Sequence, residues 1–145
     1  MRATAQGPKP DFGLRRILVA DDSRTQRAIL RASLLRWGYD VTEAETGTEA
    51  LTLCARHRFD MVLSDWMMPG LSGLDLCREF RAMPRDDYGY FILLTSKSEK
   101  NDIAQGLDVG ADDFLAKPVS AAELRARIEA GERILRMQRE LAEKN

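Results

Sequence analysis

Cysteine and histidine are scarce in this chain, which has two cysteines and one histidine among 145 residues. Cys54 and Cys77 form no CxxC pair and give no zinc pattern, so we expect two free, buried thiols rather than a disulfide or a metal site. The single histidine, His57, falls in the last turn of a predicted helix, where a cation meets the negative end of the helix dipole. A histidine-based phosphoryl relay on this chain is therefore not indicated.

The chain also lacks a charge excess and a long apolar run. Its formal net charge of -1 gives no reason to expect binding to nucleic acid or to an anionic membrane. No apolar run approaches the roughly 20 residues of a membrane span. The N-terminal residues have no apolar core of the signal-peptide type. We therefore expect a cytoplasmic protein that contacts neither membrane nor nucleic acid directly.

What the chain does contain is a regular alternation of apolar runs and capped amphipathic segments. Residues 1–14, with two glycines and two prolines, predict a flexible tail before a single domain. Strands are predicted at 17–20, 39–44, 61–63, 91–94 and 113–116, and a helix follows each of them. Capping residues Ser23, Thr46, Ser72 and Ser120 mark four of the helix starts. Five strand–helix units predict an α/β fold with a doubly wound, five-stranded parallel sheet and helices on both faces.

Polar side chains stand where four of these strands end. Asp21 and Asp22 follow the first strand, Asp65 the third, Thr95 the fourth and Lys117 the fifth. The carboxyl ends of parallel strands share one edge of the sheet, where ligands bind in such folds. Any one of these residues alone could be a helix cap, a plain strand end or a solvated lysine. Their coincidence at four strand ends favours a functional site.

The chemistry of that site follows from its charges. Three carboxylates repel one another unless a cation is present, and hard oxygen ligands suit Mg²⁺ rather than zinc. A divalent cation, an ammonium and a hydroxyl together can neutralise a phosphoryl group during its transfer. The predicted nucleophile is a carboxylate, because carboxylates can form acyl phosphates.

Four segments carry a resemblance to a known family. They read ILVADDS (17–23), MVLSDWMMPGLSGLDL (61–76), ILLTS (92–96) and GADDFLAKP (110–118). With this order and spacing, residues 15–130 resemble the receiver domain of bacterial two-component response regulators, which has a CheY-like, flavodoxin-like fold. The resemblance implies a phosphorylation-activated signalling switch, a phosphoacceptor rather than an enzyme, whose phosphoryl group comes from a histidine kinase or phosphotransfer protein.

The resemblance also implies roles for the acidic residues. Asp65 would be the phosphoacceptor, and it would bind Mg²⁺ together with Asp22 and the backbone carbonyl of Met67. Asp21 would act on the metal mainly through a bound water.

Further roles fall on the last two strands. Lys117 would pair first with the Asp65 carboxylate and then with the phosphoryl group. Thr95 would hydrogen-bond that group and move towards it, and Phe114 would rotate into the space that Thr95 leaves. The surface around residues 95–130 would change with them. The Lys117–Pro118 peptide bond would be cis.

The last helix is longer than a minimal receiver requires. Residues 131–145 continue it, and Ile134, Met137 and Leu141 repeat at the spacing of a coiled-coil seam, with Leu135 broadening the stripe and charges such as Arg139 flanking it. One interpretation is a signalling helix that joins two receivers in a homodimer or leads into an output domain. The other is a solvated helical tail that packs on its own domain.

Two alternatives to the switch remain at this stage. A Mg²⁺-dependent phosphatase with an aspartyl-phosphate intermediate would carry a DxD motif after the first strand, where this chain has Asp21-Asp22 followed by Ser23. An interaction module that is never phosphorylated would not need Asp65, Thr95 and Lys117 together.

Overall fold

The sheet has five parallel strands in the order β2-β1-β3-β4-β5, in a computed structural model that describes residues 16–96 and 100–144. The strands are β1 (Arg16–Ala20), β2 (Asp40–Ala44), β3 (Met61–Asp65), β4 (Tyr90–Thr95) and β5 (Asp113–Ala116). The helices are α1 (Arg24–Arg36), α2 (Gly47–Arg56), α3 (Gly73–Ala82), α4 (Lys100–Asp108) and α5 (Ala121–Lys144). The predicted alternation of strand and helix is confirmed, whereas the predicted tail, residues 1–14, lies outside the described residues.

Side-chain hydroxyls begin four of the helices, as their sequence positions predict. The hydroxyl of Ser23 accepts a hydrogen bond from the backbone N–H of Gln26, three residues into the first turn, and those of Thr46, Ser72 and Ser120 accept equivalent bonds. Each bond satisfies a backbone donor that has no partner within its helix. His57 lies one residue beyond its predicted place, as the cap that ends α2.

The two faces of the sheet bury alternate residues of the same strands. In β1, Ile17 and Val19 pack towards α1 and α5, whereas Leu18 and Ala20 pack towards α2 and α3. This alternation is the two-residue period of a strand, and burial on both faces explains the continuous apolar runs. The doubly wound arrangement is therefore confirmed, with a hydrophobic core on either side of the sheet.

The buried stripe of α5 runs past residue 130 without interruption. It consists of Leu124, Ile128, Gly131, Leu135 and Arg139. A Cβ at Gly131 would lie 2.8 Å from the Tyr90 ring, so glycine allows the helix to approach the sheet closely. The prediction that Leu135 broadens an exposed seam is wrong, because Leu135 is fully buried in the core. The helix beyond residue 130 packs on its own domain along this face.

Two further expectations concern the thiols and the membrane. Cys54 and Cys77 are both free, with Cys77 buried and Cys54 partly buried. Burial raises the pKa of the Cys77 thiol to about 11 and that of Cys54 to about 12. Both thiols are therefore protonated at neutral pH. Among the described helices, none is both long enough and apolar enough to cross a membrane.

Candidate functional site

Three carboxylates meet at the carboxyl edge of the sheet. Asp21 and Asp22 follow β1, and Asp65 is the last residue of the adjacent strand β3. One carboxylate oxygen from each of the three lies within 4.8 Å of the others. Asp21 is fully buried and Asp65 nearly so, whereas Asp22 is exposed at the mouth. The sheet therefore brings together the acidic residues that the sequence analysis selected. We refer to them as the acidic pocket.

Lys117 supplies the positive charge of the acidic pocket. Its Nζ lies 2.9 Å from Asp65 Oδ2 and 3.1 Å from Asp21 Oδ2. The residue directly follows β5, and its backbone N–H donates to the carbonyl of Thr95 at 2.7 Å. The peptide bond between Lys117 and Pro118 is cis. One ammonium thus bridges two of the three carboxylates from the far side of β4.

Burial and charge act in opposite directions on these groups. Burial raises the pKa of the Asp65 carboxyl, an effect that the Lys117 ammonium opposes and the Asp21 carboxylate reinforces, and the net direction is upward. Burial lowers the pKa of Lys117, but the contacts with Asp65 and Asp21 outweigh it, so the net pKa is raised. Lys117 therefore remains a cation beside the pocket.

The acidic pocket suits a hard divalent cation. Asp21 Oδ2 is buried and accepts no hydrogen bond from any described residue, although it forms the ion pair with Lys117. The other oxygen, Oδ1, accepts a hydrogen bond from the backbone N–H of Ser23 at 2.9 Å. Three carboxylates carry more negative charge than one ammonium neutralises. The donor set is all oxygen, which fits Mg²⁺ better than a softer metal.

Thr95 and Phe114 lie next to the acidic pocket on β4 and β5. Thr95 is buried at the end of β4, adjacent to β3, whose last residue is Asp65. Phe114 is half-buried, and its ring centroid lies 6.4 Å from that of Trp66, the residue after Asp65. A Cβ at Gly106 would lie 2.5 Å from the Phe114 ring, so the ring occupies the space that any other residue type at position 106 would need for its side chain.

Met67 follows in the loop after β3, and its side chain is 70% exposed. It lies two residues after Asp65. The role of its carbonyl as a metal ligand stays a prediction.

One buried residue at the pocket was missed by the sequence analysis. Arg27 lies on α1 and is 6% exposed, and its Nη1 donates to the carbonyl of Asp21 at 2.8 Å. A signal was available in the sequence. Arg27 precedes Leu30 and Leu34 on the apolar stripe of α1, and a charge at a stripe position is seldom buried without a partner.

A second group of charges lies at the amino ends of the strands, opposite the acidic pocket. This arginine–aspartate cluster consists of Arg58, Asp60, Arg85, Asp87 and Arg139. Arg139 Nη2 donates to Asp60 Oδ1 at 3.0 Å, and its Nε lies 3.2 Å from Asp87 Oδ2. The expectation that Arg139 flanks an exposed seam is wrong, since Arg139 is 7% exposed. Its burial attaches the end of α5 to the body of the domain.

Comparisons with known proteins agree on one family. Residues 17–129 match the response regulator receiver domain. A response regulator MprA from Mycobacterium sp. (strain KMS) is 47% identical over 115 residues, which are 79% of this chain and 49% of that protein. The chain thus spans about half the length of the curated relatives it matches.

Solved structures show the same likeness. The receiver domain of a sensor histidine kinase from Pseudomonas aeruginosa PAO1, with a magnesium ion coordinated in its active-site cleft, has a TM-score of 0.74 and 32% identity, over 80% of this chain and 95% of that one. A probable two-component system response regulator/GGDEF domain protein has a TM-score of 0.78 and 32% identity, over 84% of this chain and 50% of that one.

Proposed function

Because the chain belongs to the response regulator receiver domains, we propose that it is a phosphorylation-dependent signalling switch with Asp65 as its phosphoacceptor. The observation that carries this assignment is the position of the Asp65 carboxylate. It lies at the carboxyl end of a central strand, 2.9 Å from the Lys117 ammonium and beside two further carboxylates. The Asp21 carboxylate has the same neighbours but is fully buried, whereas the Asp65 side chain is 12% exposed and open to a phosphodonor.

In the proposed transfer, an ionised oxygen of Asp65 attacks phosphorus and forms an acyl phosphate. The bond from phosphorus to the donor breaks, and its electron pair leaves with the donor. From acetyl phosphate, the leaving group is acetate. From a phosphohistidine, it is the histidine imidazole, which takes up a proton and leaves as the neutral ring. Lys117 then pairs with a phosphoryl oxygen in place of the carboxylate. The domain in this way promotes its own phosphorylation without turning over a substrate.

Asp22, Asp65 and the Met67 carbonyl are the proposed direct ligands of Mg²⁺, and Asp21 acts through a water. When bound, the cation would offset the negative charge of the phosphoryl oxygens as they approach three carboxylates. The buried Oδ2 of Asp21 is suited to that role, because it faces the acidic pocket beside the Lys117 ammonium, 3.1 Å away, and retains acceptor capacity for a water.

Thr95 and Phe114 are the proposed switch residues. The Thr95 hydroxyl would move towards the phosphoryl group, and the half-buried Phe114 ring would turn inward behind it. The surface around residues 95–130 would change in consequence. Phenylalanine has no hydroxyl, so the inward position would be held by packing alone.

The proposed partners follow from the family and from α5. A histidine kinase or phosphotransfer protein would supply the phosphoryl group in the cytoplasm. A second copy or an output domain would receive the signal through α5, with residues 15–130 as the receiver and 131–145 as the continuation of its last helix. The absence of direct contact with nucleic acid stays a prediction for these residues.

Acetyl phosphate with Mg²⁺ tests the acceptor. We expect wild-type protein and the control Asp75→Asn, whose side chain is 47% exposed, to gain one base-labile phosphoryl group by intact mass, and Asp65→Asn to gain none. Chelation of Mg²⁺ should prevent the gain in both wild-type protein and Asp75→Asn. Phosphorylation of Asp65→Asn at the wild-type rate would refute the assignment. A wild-type protein that gains no phosphoryl group and binds no Mg²⁺ would instead indicate an interaction module.

A further inference from the structure

We propose that Arg27 is a positioning residue of the metal site, holding the backbone between Asp21 and Asp22 so that both carboxylates face Asp65. The proposal rests on the proposed Mg²⁺ site, but it assigns a role to a residue outside the acidic pocket. Arg27 contacts the main-chain carbonyl of Asp21 and not the carboxylate oxygens or the Met67 carbonyl that we propose as ligands.

The contacts of Arg27 span three elements. Its Nη1 donates to the carbonyl of Asp21 at 2.8 Å, in the loop after β1. Its Nε lies 3.3 Å from Glu43 Oε1 on β2, and its Nη2 lies 3.3 Å from Glu45 Oε1 just beyond that strand. The guanidinium is planar and presents these donors in a fixed fork. It therefore ties α1 and β2 to one peptide group.

That peptide group joins the two acidic residues. Rotating the Asp21 carbonyl would turn the Asp22 backbone with it, because the peptide unit is planar. The Asp21 N–H donates to the Ala44 carbonyl at 3.1 Å, and its Oδ1 accepts from Ser23, so Asp21 is already held at its amide and its side chain. The hydrogen bond from Arg27 also fixes the Asp21 carbonyl, and through the planar peptide group it fixes the backbone of the exposed Asp22.

Charge alone predicts the opposite outcome of losing Arg27. The guanidinium is a buried cation close to a site for a divalent cation, and Coulomb repulsion weakens metal binding. Removing that charge should tighten Mg²⁺ binding if electrostatics dominated, even though Glu43 and Glu45 compensate part of it. Positioning predicts weaker binding. The sign of the change in Mg²⁺ affinity therefore separates the two explanations.

Two variants of Arg27 make the test. Arg27→Lys keeps the charge and the hydrocarbon stem, but a single ammonium cannot reproduce the fork. Arg27→Gln removes the charge. The matched control is Arg31→Gln, because Arg31 also pairs with Glu43, at 3.4 Å, but its side chain is 51% exposed. All are made in a Trp37→Phe background, in which Trp66, next to Asp65, is the remaining tryptophan.

Mg²⁺ affinity is read from Trp66 emission, and stability from urea unfolding with EDTA present. We expect the dissociation constant for Mg²⁺ to rise roughly tenfold to a hundredfold in both Arg27 variants, as for other residues that orient metal ligands, and to stay unchanged in Arg31→Gln. The Mg²⁺ concentration that gives half of the maximal phosphorylation rate should be higher in Arg27→Lys than in wild type, whereas the maximal rate should be unchanged.

An unchanged or tighter Mg²⁺ dissociation constant in folded Arg27→Lys, with only stability reduced, would overturn the proposal and leave Arg27 a structural residue. Should Arg27→Gln fail to fold, Arg27→Lys still decides the matter. Failure of wild-type protein to bind Mg²⁺ would refute the proposed metal site itself, which is a different result from equal binding by wild type and variant.

Discussion

Gly106 matters through the side chain that it lacks. The Phe114 ring occupies the space where a Cβ would lie, 2.5 Å from its nearest ring carbon. The ring also lies within contact range of Trp66, beside the phosphoacceptor. The smallest residue of α4 thus fixes the resting place of the proposed switch aromatic.

Gly106→Ala should therefore displace Phe114 before any phosphoryl group is added. Alanine favours helix by about 1 kcal/mol over glycine, which offsets part of the cost of moving the ring. We expect near-wild-type stability in urea but altered Trp66 emission and a changed phosphorylation rate. Ala104→Gly, an exposed change on the same helix, should leave Trp66 emission unaltered. Wild-type emission and rate in Gly106→Ala would show that Phe114 is not held there.

Asp87 gives a prediction for acid pH. Burial raises the pKa of its carboxyl, but Arg58 and Arg139 lower it more, so the pKa lies below its ordinary value. The resulting stabilisation is complete above the pKa of an unfolded aspartate, about 3.9, and is lost as pH falls through the lower folded pKa.

The difference in unfolding free energy between wild type and Asp87→Asn should thus be constant from neutral pH down to about pH 4 and shrink below it. Urea unfolding across a pH series measures this difference. Asp86→Asn, at an exposed neighbour, serves as the control and should show a much smaller difference throughout. A difference for Asp87→Asn that persists at the lowest pH would show that the carboxylate charge is not its source.

At the scale of elements, α5 has two faces with different roles. One face buries Leu135 and Arg139 against the domain. The other exposes Ile134, Met137 and Leu141, the last two at 63% each. The two interpretations of the sequence, a packed tail and an exposed seam, therefore describe opposite sides of the same helix.

Arg139→Met should destabilise the domain by about 3 kcal/mol, because removing one partner of a buried ion pair leaves the others uncompensated. Asp60 and Asp87 retain Arg58 as a partner, which limits the loss. Arg136→Met should cost much less, because Arg136 is exposed and its ion pair among the described residues, with Glu132, lies within the helix. Urea unfolding gives both values, and hydrogen exchange should speed up near residue 139. Equal losses of unfolding free energy in the two variants would show that Arg139 does not hold α5 against the domain.

The elements were predictable because their signals are local. Apolar runs and capping hydroxyls lie within a few residues of the structure that they cause, and strand ends placed Asp21, Asp65 and Lys117 at one edge. The roles of Leu135 and Arg139 were not predictable in this way. The partner of Arg139, Asp60, is 79 residues away, and heptad spacing does not say which side of a helix meets its own domain.

At the scale of the whole molecule, the acidic pocket and the arginine–aspartate cluster occupy opposite edges of one sheet. The parallel sheet with helices on both faces followed from strand and helix patterns. The family resemblance supplied the roles of the pocket, which composition alone left at the level of a phosphoryl site. The position of Arg27 on the apolar stripe of α1 indicates a buried partner, but that partner is a loop carbonyl whose place only the folded chain defines.

The exposed stripe of α5 should act in self-association. We expect protein treated with Mg²⁺ and beryllofluoride, which imitates the phosphoryl group, to approach twice its monomer mass in light scattering at high concentration. The double variant Met137→Glu/Leu141→Glu should stay monomeric, because it places charge on the apolar stripe and leaves the buried face of α5 unchanged. Unchanged mass in wild-type protein would contradict self-association and assign the stripe to a separate partner.

The packing of α5 also sets a rule for fusing another helix to this domain. Contacts from Leu124 to Arg139 fix the rotation of the helix about its axis. A segment joined in continuous helix therefore inherits a defined phase, and each inserted residue turns it by roughly 100°. Linkers that differ by seven residues should present nearly the same side of the fused protein, whereas those that differ by two should present the opposite side.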